Sequence, residues 1–130
     1  MRGYTPMPVV HGSTAPVFDL PNATFTGLAS PSRGAKETCV WRTHVKPGAE
    51  PDEHSFDREE VVLAISGRAV ALLDGVRHEI AAGDAVVIPA GTSFGLGNPY
   101  DEPFEAVAVL PVGATARMAD GTTLVPAPAR

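Results

Sequence analysis

His54 and Glu60 lie six positions apart in Gly48-Ala-Glu-Pro-Asp-Glu-His54-Ser-Phe56-Asp-Arg-Glu-Glu60. An imidazole and a carboxyl group on one wall are the ingredients of proton transfer near neutral pH. They are therefore the catalytic candidates, and also the residues that would hold a metal if one is bound. Side chains alternate along a strand, so His54 and Phe56 share a face. His44 and His78 are the other histidines within strand-like runs, and each reads more simply as solvent-facing than as a ligand. Asp57, Arg58 and Glu59 read as a solvated charged patch. Asp84, after Gly83, reads as a turn residue capping nearby backbone.

The elements that must position these residues are strands. Gly67, Gly75, Gly83 and Gly91 recur at intervals of eight, separating short apolar segments. That spacing predicts an all-β sandwich or barrel. Asp74-Gly75 predicts a tight hairpin turn, whose central residues must tolerate positive φ. Val61 to Ile65, Ala85 to Ile88 and Ala106 to Leu110 are almost continuously apolar, a pattern expected of strands buried on both faces. Thr38 to Lys46 predicts a further strand, with Trp41, Thr43 and Val45 on one face and Arg42 and His44 on the other. The sequence leaves open which face looks inward. Pro6, Pro8, Pro16, Pro21 and Pro31 restrict the first 36 residues to short edge strands, and the tail after Pro111 reads as loop. Thirteen glycines and thirteen prolines make up a fifth of the 130 residues, against roughly 12% in average proteins. Long helices do not survive that density.

The segment Gly48 to Gly67, together with Gly83-Asp-Ala-Val-Val-Ile-Pro89-Ala-Gly91-Thr-Ser-Phe94-Gly-Leu-Gly-Asn98, resembles the two sequence motifs of the cupin superfamily. Those motifs read G-x5-H-x-H-x3-E-x6-G and G-x5-P-x-G-x2-H-x3-N. Gly48, His54, Glu60 and Gly67 are in register with the first, and Gly83, Pro89, Gly91 and Asn98 with the second. The resemblance spans about residues 38–112 and implies one domain, an antiparallel jelly-roll β-barrel with an irregular arm at each end.

The departures from the motifs bear on function. The resemblance implies a metal site of three histidines and a glutamate, but Phe56 and Phe94 stand at two of the histidine positions. Phenylalanine has no lone pair to donate, and two remaining ligands hold a metal weakly. No cofactor is therefore expected. Phe56 and Phe94 either fill the vacated space or line a ligand pocket, since barrel mouths commonly hold apolar pockets with a few placed polar groups. Asn98 is the remaining substrate-contact candidate, although its position also suits a turn former. Glu60, without a cation and among aromatic rings, loses hydration, which raises its pKa.

Ten basic residues against fifteen acidic ones give a net charge of −5, with no basic stripe. Nucleic acid and anionic membranes are poor partners for such a surface. A single cysteine, Cys39, excludes an intrachain disulfide and fits a reducing cytoplasm. No stretch reaches the ~18 apolar residues of a membrane span or shows a secretory leader. Val9-Val10 and Val17-Phe18 form an arm too short for its own sheet. Such an arm can add to a strand edge, and the resemblance implies a homodimer. Three functions fit these residues. The first is metal-independent isomerisation, cyclisation or elimination of a small apolar or aromatic molecule, with Glu60 and His54 moving protons. The second is non-catalytic small-molecule binding. The third is a metal-dependent cupin oxygenase or isomerase with an unusual ligand set.

Overall fold

Among the described residues, short apolar segments punctuated by glycine fold into twelve strands. The computed structural model describes residues 9–130. The strands are β1 (Val17–Asp19), β2 (Thr24–Ala29), β3 (Thr38–Val45), β4 (His54–Phe56), β5 (Glu60–Ser66) and β6 (Arg68–Leu73), followed by β7 (Val76–Ala81), β8 (Ala85–Ile88), β9 (Phe94–Gly97), β10 (Phe104–Pro111), β11 (Ala116–Met118) and β12 (Thr123–Leu124). They pair antiparallel in two six-stranded sheets, ordered β1-β2-β3-β10-β5-β8 and β12-β11-β4-β9-β6-β7. The expected jelly-roll architecture is observed. Among the described residues, no helix is long and apolar enough to cross a membrane.

Two glycines show why the turn spacing was informative. Asp74 and Gly75 both adopt positive φ, 46° and 81°, closing the β6–β7 hairpin. Gly67 has φ 79°, and a Cβ there would stand 2.3 Å from the carbonyl oxygen of Pro103. No other residue fits that corner without moving the backbone.

Three expectations need correction. The near-continuous apolar runs are not buried on both faces. Along β10 burial alternates at every residue, and β5 and β8 also send alternate side chains outward. Leu63, Ile65 and Val87 are 41%, 48% and 55% exposed. High apolar content hid a period of two, because the outward residues are apolar as well.

The N-terminal arm is also more than edge. β1 is an edge strand, but the six-residue β2 lies inside its sheet, between β1 and β3. Pro16 and Pro21 fall before β1 and between the two strands, so the β2 ladder loses no N–H to proline. The arm thereby extends the chain's own sheet. Val9-Val10 do not enter it; Pro6 and Pro8, also read as strand breakers, lie outside the described residues.

The tail, read as loop, adds β11 and β12 to the second sheet, with Ala116 opposite Phe56. It then packs Pro128 and Ala129 in a buried turn. Ser32 Oγ donates to the Arg130 carbonyl at 2.7 Å, and Cys39 Sγ lies 3.6 Å from the Ala129 carbonyl. Both arms thus close over one end of the barrel.

The core between the sheets is rich in alanine. Ala64, Ala69, Ala71, Ala106, Ala108 and Ala116 are all buried. Small side chains at inward positions leave unfilled volume, and Ala108 and Ala116 do so at the arm-covered end.

Candidate functional site

A cavity of about 360 Å³ opens at that end. Trp41, Thr43 and Val45 project into it from β3, which settles the face that the sequence left open. Phe18, Phe25 and Pro128 come from the two arms, and the Phe25 ring meets Trp41 edge-on with centroids 6.2 Å apart. These arm residues were not foreseen. Phe18 sits on a three-residue strand and Pro128 in a short turn, neither long enough to show a period, and Phe25 lies on a strand in the proline-rich arm read as edge.

His54, Phe56, Glu60 and Phe94 all line this one cavity. His54 and Phe56 share a face of β4, with ring centroids 5.3 Å apart and planes at 85°. Phe94 is the cross-strand partner of His54, its centroid 6.1 Å away. Glu60 enters from the facing sheet at the first position of β5.

Glu60 is 3% exposed, and its Oε1 is sealed from solvent with no hydrogen-bond partner. Desolvation without compensation penalises the ionised form, and burial pushes the carboxyl up to about 8. The group is therefore mainly a neutral acid at pH 7, able to donate a proton. His54 and Glu60 are not hydrogen-bonded to each other. His54 Nδ1 instead lies 3.0 Å from the carbonyl oxygen of Asp52.

Asn98 does not join the site. It is fully buried away from the cavity: its Nδ2 donates to the carbonyls of Val45 and Glu102, at 3.1 and 2.7 Å, and its Oδ1 accepts from the Tyr100 N–H. Its donors and an acceptor are spent on backbone, so the substrate-contact reading is corrected to a structural one. Asp84 caps the turn as expected, accepting from the Ala81 N–H at 2.8 Å.

The donor set does not fit a metal. Phe56 and Phe94 supply ring edges where further nitrogens would be needed. His44 points outward and pairs with Glu105, and His78 is exposed on β7. No group of three His, Cys, Asp or Glu side chains is placed to share an ion among the described residues. What remains is one neutral acid and one imidazole in an apolar chamber. Such a pair can pass protons to and from a bound molecule without a metal.

Residues 41–110 match the Cupin domain family profile. No curated protein matches the sequence. Several solved structures share the fold. The polyketide cyclase RemF from Streptomyces resistomycificus is 20% identical with a TM-score of 0.75, the match covering 93% of this chain and 88% of that one. A sugar phosphate isomerase of the cupin superfamily from Silicibacter pomeroyi is 21% identical, TM-score 0.69, covering 87% and 82%. A predicted oxalate decarboxylase from Thermotoga maritima is 24% identical, TM-score 0.68, covering 78% and 96%. At such identities the likeness shows the fold alone.

Proposed function

The chain belongs to the cupin family, and on that scaffold we propose that it binds a small, largely apolar or aromatic molecule and catalyses metal-independent proton transfer on it. The single observation that carries this reading is the unpartnered, buried carboxyl of Glu60 on the wall of an aromatic-lined cavity. An unsatisfied buried acid is costly for a scaffold to keep. A substrate carbonyl or hydroxyl would supply the missing partner.

In this reading Glu60 is the general acid, and His54 positions or exchanges the second proton. Phe56 and Phe94 hold the substrate and keep water out, which strengthens each polar contact inside. Isomerisation, cyclisation and elimination all share this step. The polyketide cyclase among the similar folds supports cyclisation of a ketone-bearing substrate. The sugar phosphate and oxalate readings lack support from the chamber itself: among the described residues Arg130 is the one Lys or Arg lining it, and it is exposed.

The test uses 2-tetralone, an uncharged aromatic ketone with acidic C–H groups beside its carbonyl. In D2O, the protein should accelerate exchange of those hydrogens, followed by NMR. Glu60→Gln keeps size but cannot titrate, so it should lose roughly 10²–10⁴-fold of the acceleration. Binding without any exchange above the buffer rate would instead make this a binding module.

A further inference from the structure

The loop joining β3 to β4 lies against the face of β9 opposite Phe94 and Leu96, and two glycines make this approach possible. A Cβ on Gly97 would stand 2.9 Å from Cγ of Pro51. One on Gly95 would stand 3.0 Å from Cβ of Pro51, 3.3 Å from the amide nitrogen of Asp52 and 3.4 Å from its carbonyl carbon. Neither glycine has positive φ, so the demand is for space and not for an unusual backbone.

Hydrogen bonds pin both ends of the same loop. The Gly48 N–H donates to the Asn98 carbonyl at 2.7 Å, and the Asn98 N–H donates to the Ala49 carbonyl at 2.9 Å. At the far end, Ser93 Oγ donates to Glu53 Oε1 at 3.1 Å. Between these ties, Pro51 on its glycine seat fixes the height of the next residue, Asp52. The Asp52 carbonyl is the group that meets His54 Nδ1.

A carbonyl oxygen only accepts, so Nδ1 must carry the ring proton. In a neutral imidazole the lone pair then falls on Nε2, whereas free histidine in water favours the opposite tautomer. Nε2 has no protein partner among the described residues, and the ring lines the cavity.

We propose that Gly95, Gly97 and Pro51 form a seat that holds the Asp52 carbonyl against His54, fixing the tautomer that makes Nε2 the base of the site. The inference rests on the proton-transfer reading above and divides its labour. His54 Nε2 takes a proton from a substrate carbon, and the C–H electron pair becomes the new C=C bond. Glu60 delivers its O–H proton to the substrate oxygen. Return of the His54 proton to carbon and of the enol proton to Glu60 restores both groups. His54 and Glu60 are catalytic in this scheme; Gly95, Gly97 and Pro51 are positioning residues that act through the Asp52 carbonyl.

The tautomer is measurable without any substrate. In ¹⁵N-labelled protein above the titration of its imidazoles, His54, assigned by loss of its signals in His54→Gln, should show a pyrrole-like Nδ1 and a pyridine-like Nε2. Gly95→Ala should mix or invert that pattern and lower kcat for 2-tetralone exchange roughly 10²-fold with little change in KM, since small misplacements of a catalytic group cost about that much. Pro51→Gly combined with Gly95→Ala removes the Pro51 atoms that the new methyl would strike, and should restore both readouts in part. Should Gly95→Ala not fold, Pro51→Ala, which only removes atoms, is expected to loosen the tautomer towards a mixture. An Nε2–H tautomer in the wild type overturns the proposal. So does a Gly95→Ala protein that keeps the wild-type tautomer while losing exchange. A fixed Nδ1–H that depends on Gly95, found together with no exchange in the wild type, supports the seat and removes only the proton-transfer reading.

Discussion

His54 and Phe94 are cross-strand partners on β4 and β9, with ring centroids 6.1 Å apart and planes inclined by 69°. The imidazole therefore faces hydrocarbon on the strand where a metal-holding barrel of this type would offer another nitrogen. The edge-to-face contact is of the kind aromatic pairs favour. It fixes a ring but contributes no lone pair.

Metal content follows from that pairing. The purified protein is expected to hold well under one equivalent of Zn, Fe, Mn or Ni, because two protein ligands fall short of the three that a working site needs. Phe56→His with Phe94→His rebuilds the four-ligand pattern and should raise metal affinity while disrupting binding of an apolar ligand. Elemental analysis before and after EDTA dialysis checks both statements. A stoichiometric, EDTA-resistant metal in the wild type would overturn the first.

Stability should depend on pH through Glu60. Its carboxyl is at about 8 in the folded chain against an ordinary value of 4.5. Below about pH 4.5 both states are protonated, and burial of the neutral acid carries no ionisation cost. Between there and about pH 8, the unfolded chain ionises while the folded chain keeps its proton, so stability falls as pH rises. Above about pH 8 the loss is complete. Each pH unit in that window costs up to about 1.4 kcal/mol. Glu60→Gln lacks this dependence, so it should match the wild type near pH 4 and exceed it by a few kcal/mol near pH 9. Urea unfolding at pH 5, 7 and 9 tests this; parallel curves for the two proteins would refute it.

The residues legible in the sequence were those held by turns. Glycines at intervals of eight reported corners such as Gly67, where a side chain collides with Pro103, and the motif spacing brought His54, Phe56, Glu60 and Phe94 to one cavity. The arms were illegible because β1, β11 and β12 are two or three residues long, too short to show a period. Yet they carry or flank Phe18 and Met118, which line the chamber. Asn98 was misplaced because a motif position gives spacing and not direction. The runs around Leu63 and Val87 were misread because apolar content alone does not separate a core-facing row from an outward one.

That outward row bears on assembly. Val40, Val109, Val61 and Val87 lie side by side across β3, β10, β5 and β8, beside a second row of Val107, Leu63 and Ala85. Arg42 and Glu105 form an ion pair at its margin. An exposed apolar field of this extent suits an isologous contact, in which the same face of two copies meets across a two-fold axis. A homodimer packed on this face is the expected solution state. Light scattering should give about twice the 13.5 kDa of the chain at micromolar concentration, and Leu63→Arg with Val87→Arg should return it to a monomer that still folds. A wild-type monomer throughout that range would exclude the arrangement.

Ala108 offers a test of whether the chamber is meant to be filled by a ligand or is a packing void. It is buried on β10 at the cavity wall, and its small side chain leaves open a share of the 360 Å³. Ala108→Leu adds apolar bulk to that space. Burial of a leucine side chain is worth about 1.5–3 kcal/mol, and overpacking costs about 1–3 kcal/mol where the neighbours cannot yield. With free volume in front of it, the variant should be as stable as the wild type or slightly more so. Ligand affinity should behave in the opposite sense, because leucine would occupy space that the ligand needs. Trp41, the single tryptophan of the chain, lines the same wall, so its fluorescence reports occupancy directly. Titration with 2-tetralone should change the wild-type emission to saturation and leave Ala108→Leu unresponsive at the same concentrations. Equal binding by both proteins would place the ligand elsewhere and detach Glu60 and His54 from it. A variant that loses both stability and binding would mean that the wall does not yield and that the space is rigidly reserved. The two outcomes separate on unfolding curves recorded with and without the ketone, since a ligand that binds only the folded chamber raises the unfolding midpoint of the wild type alone.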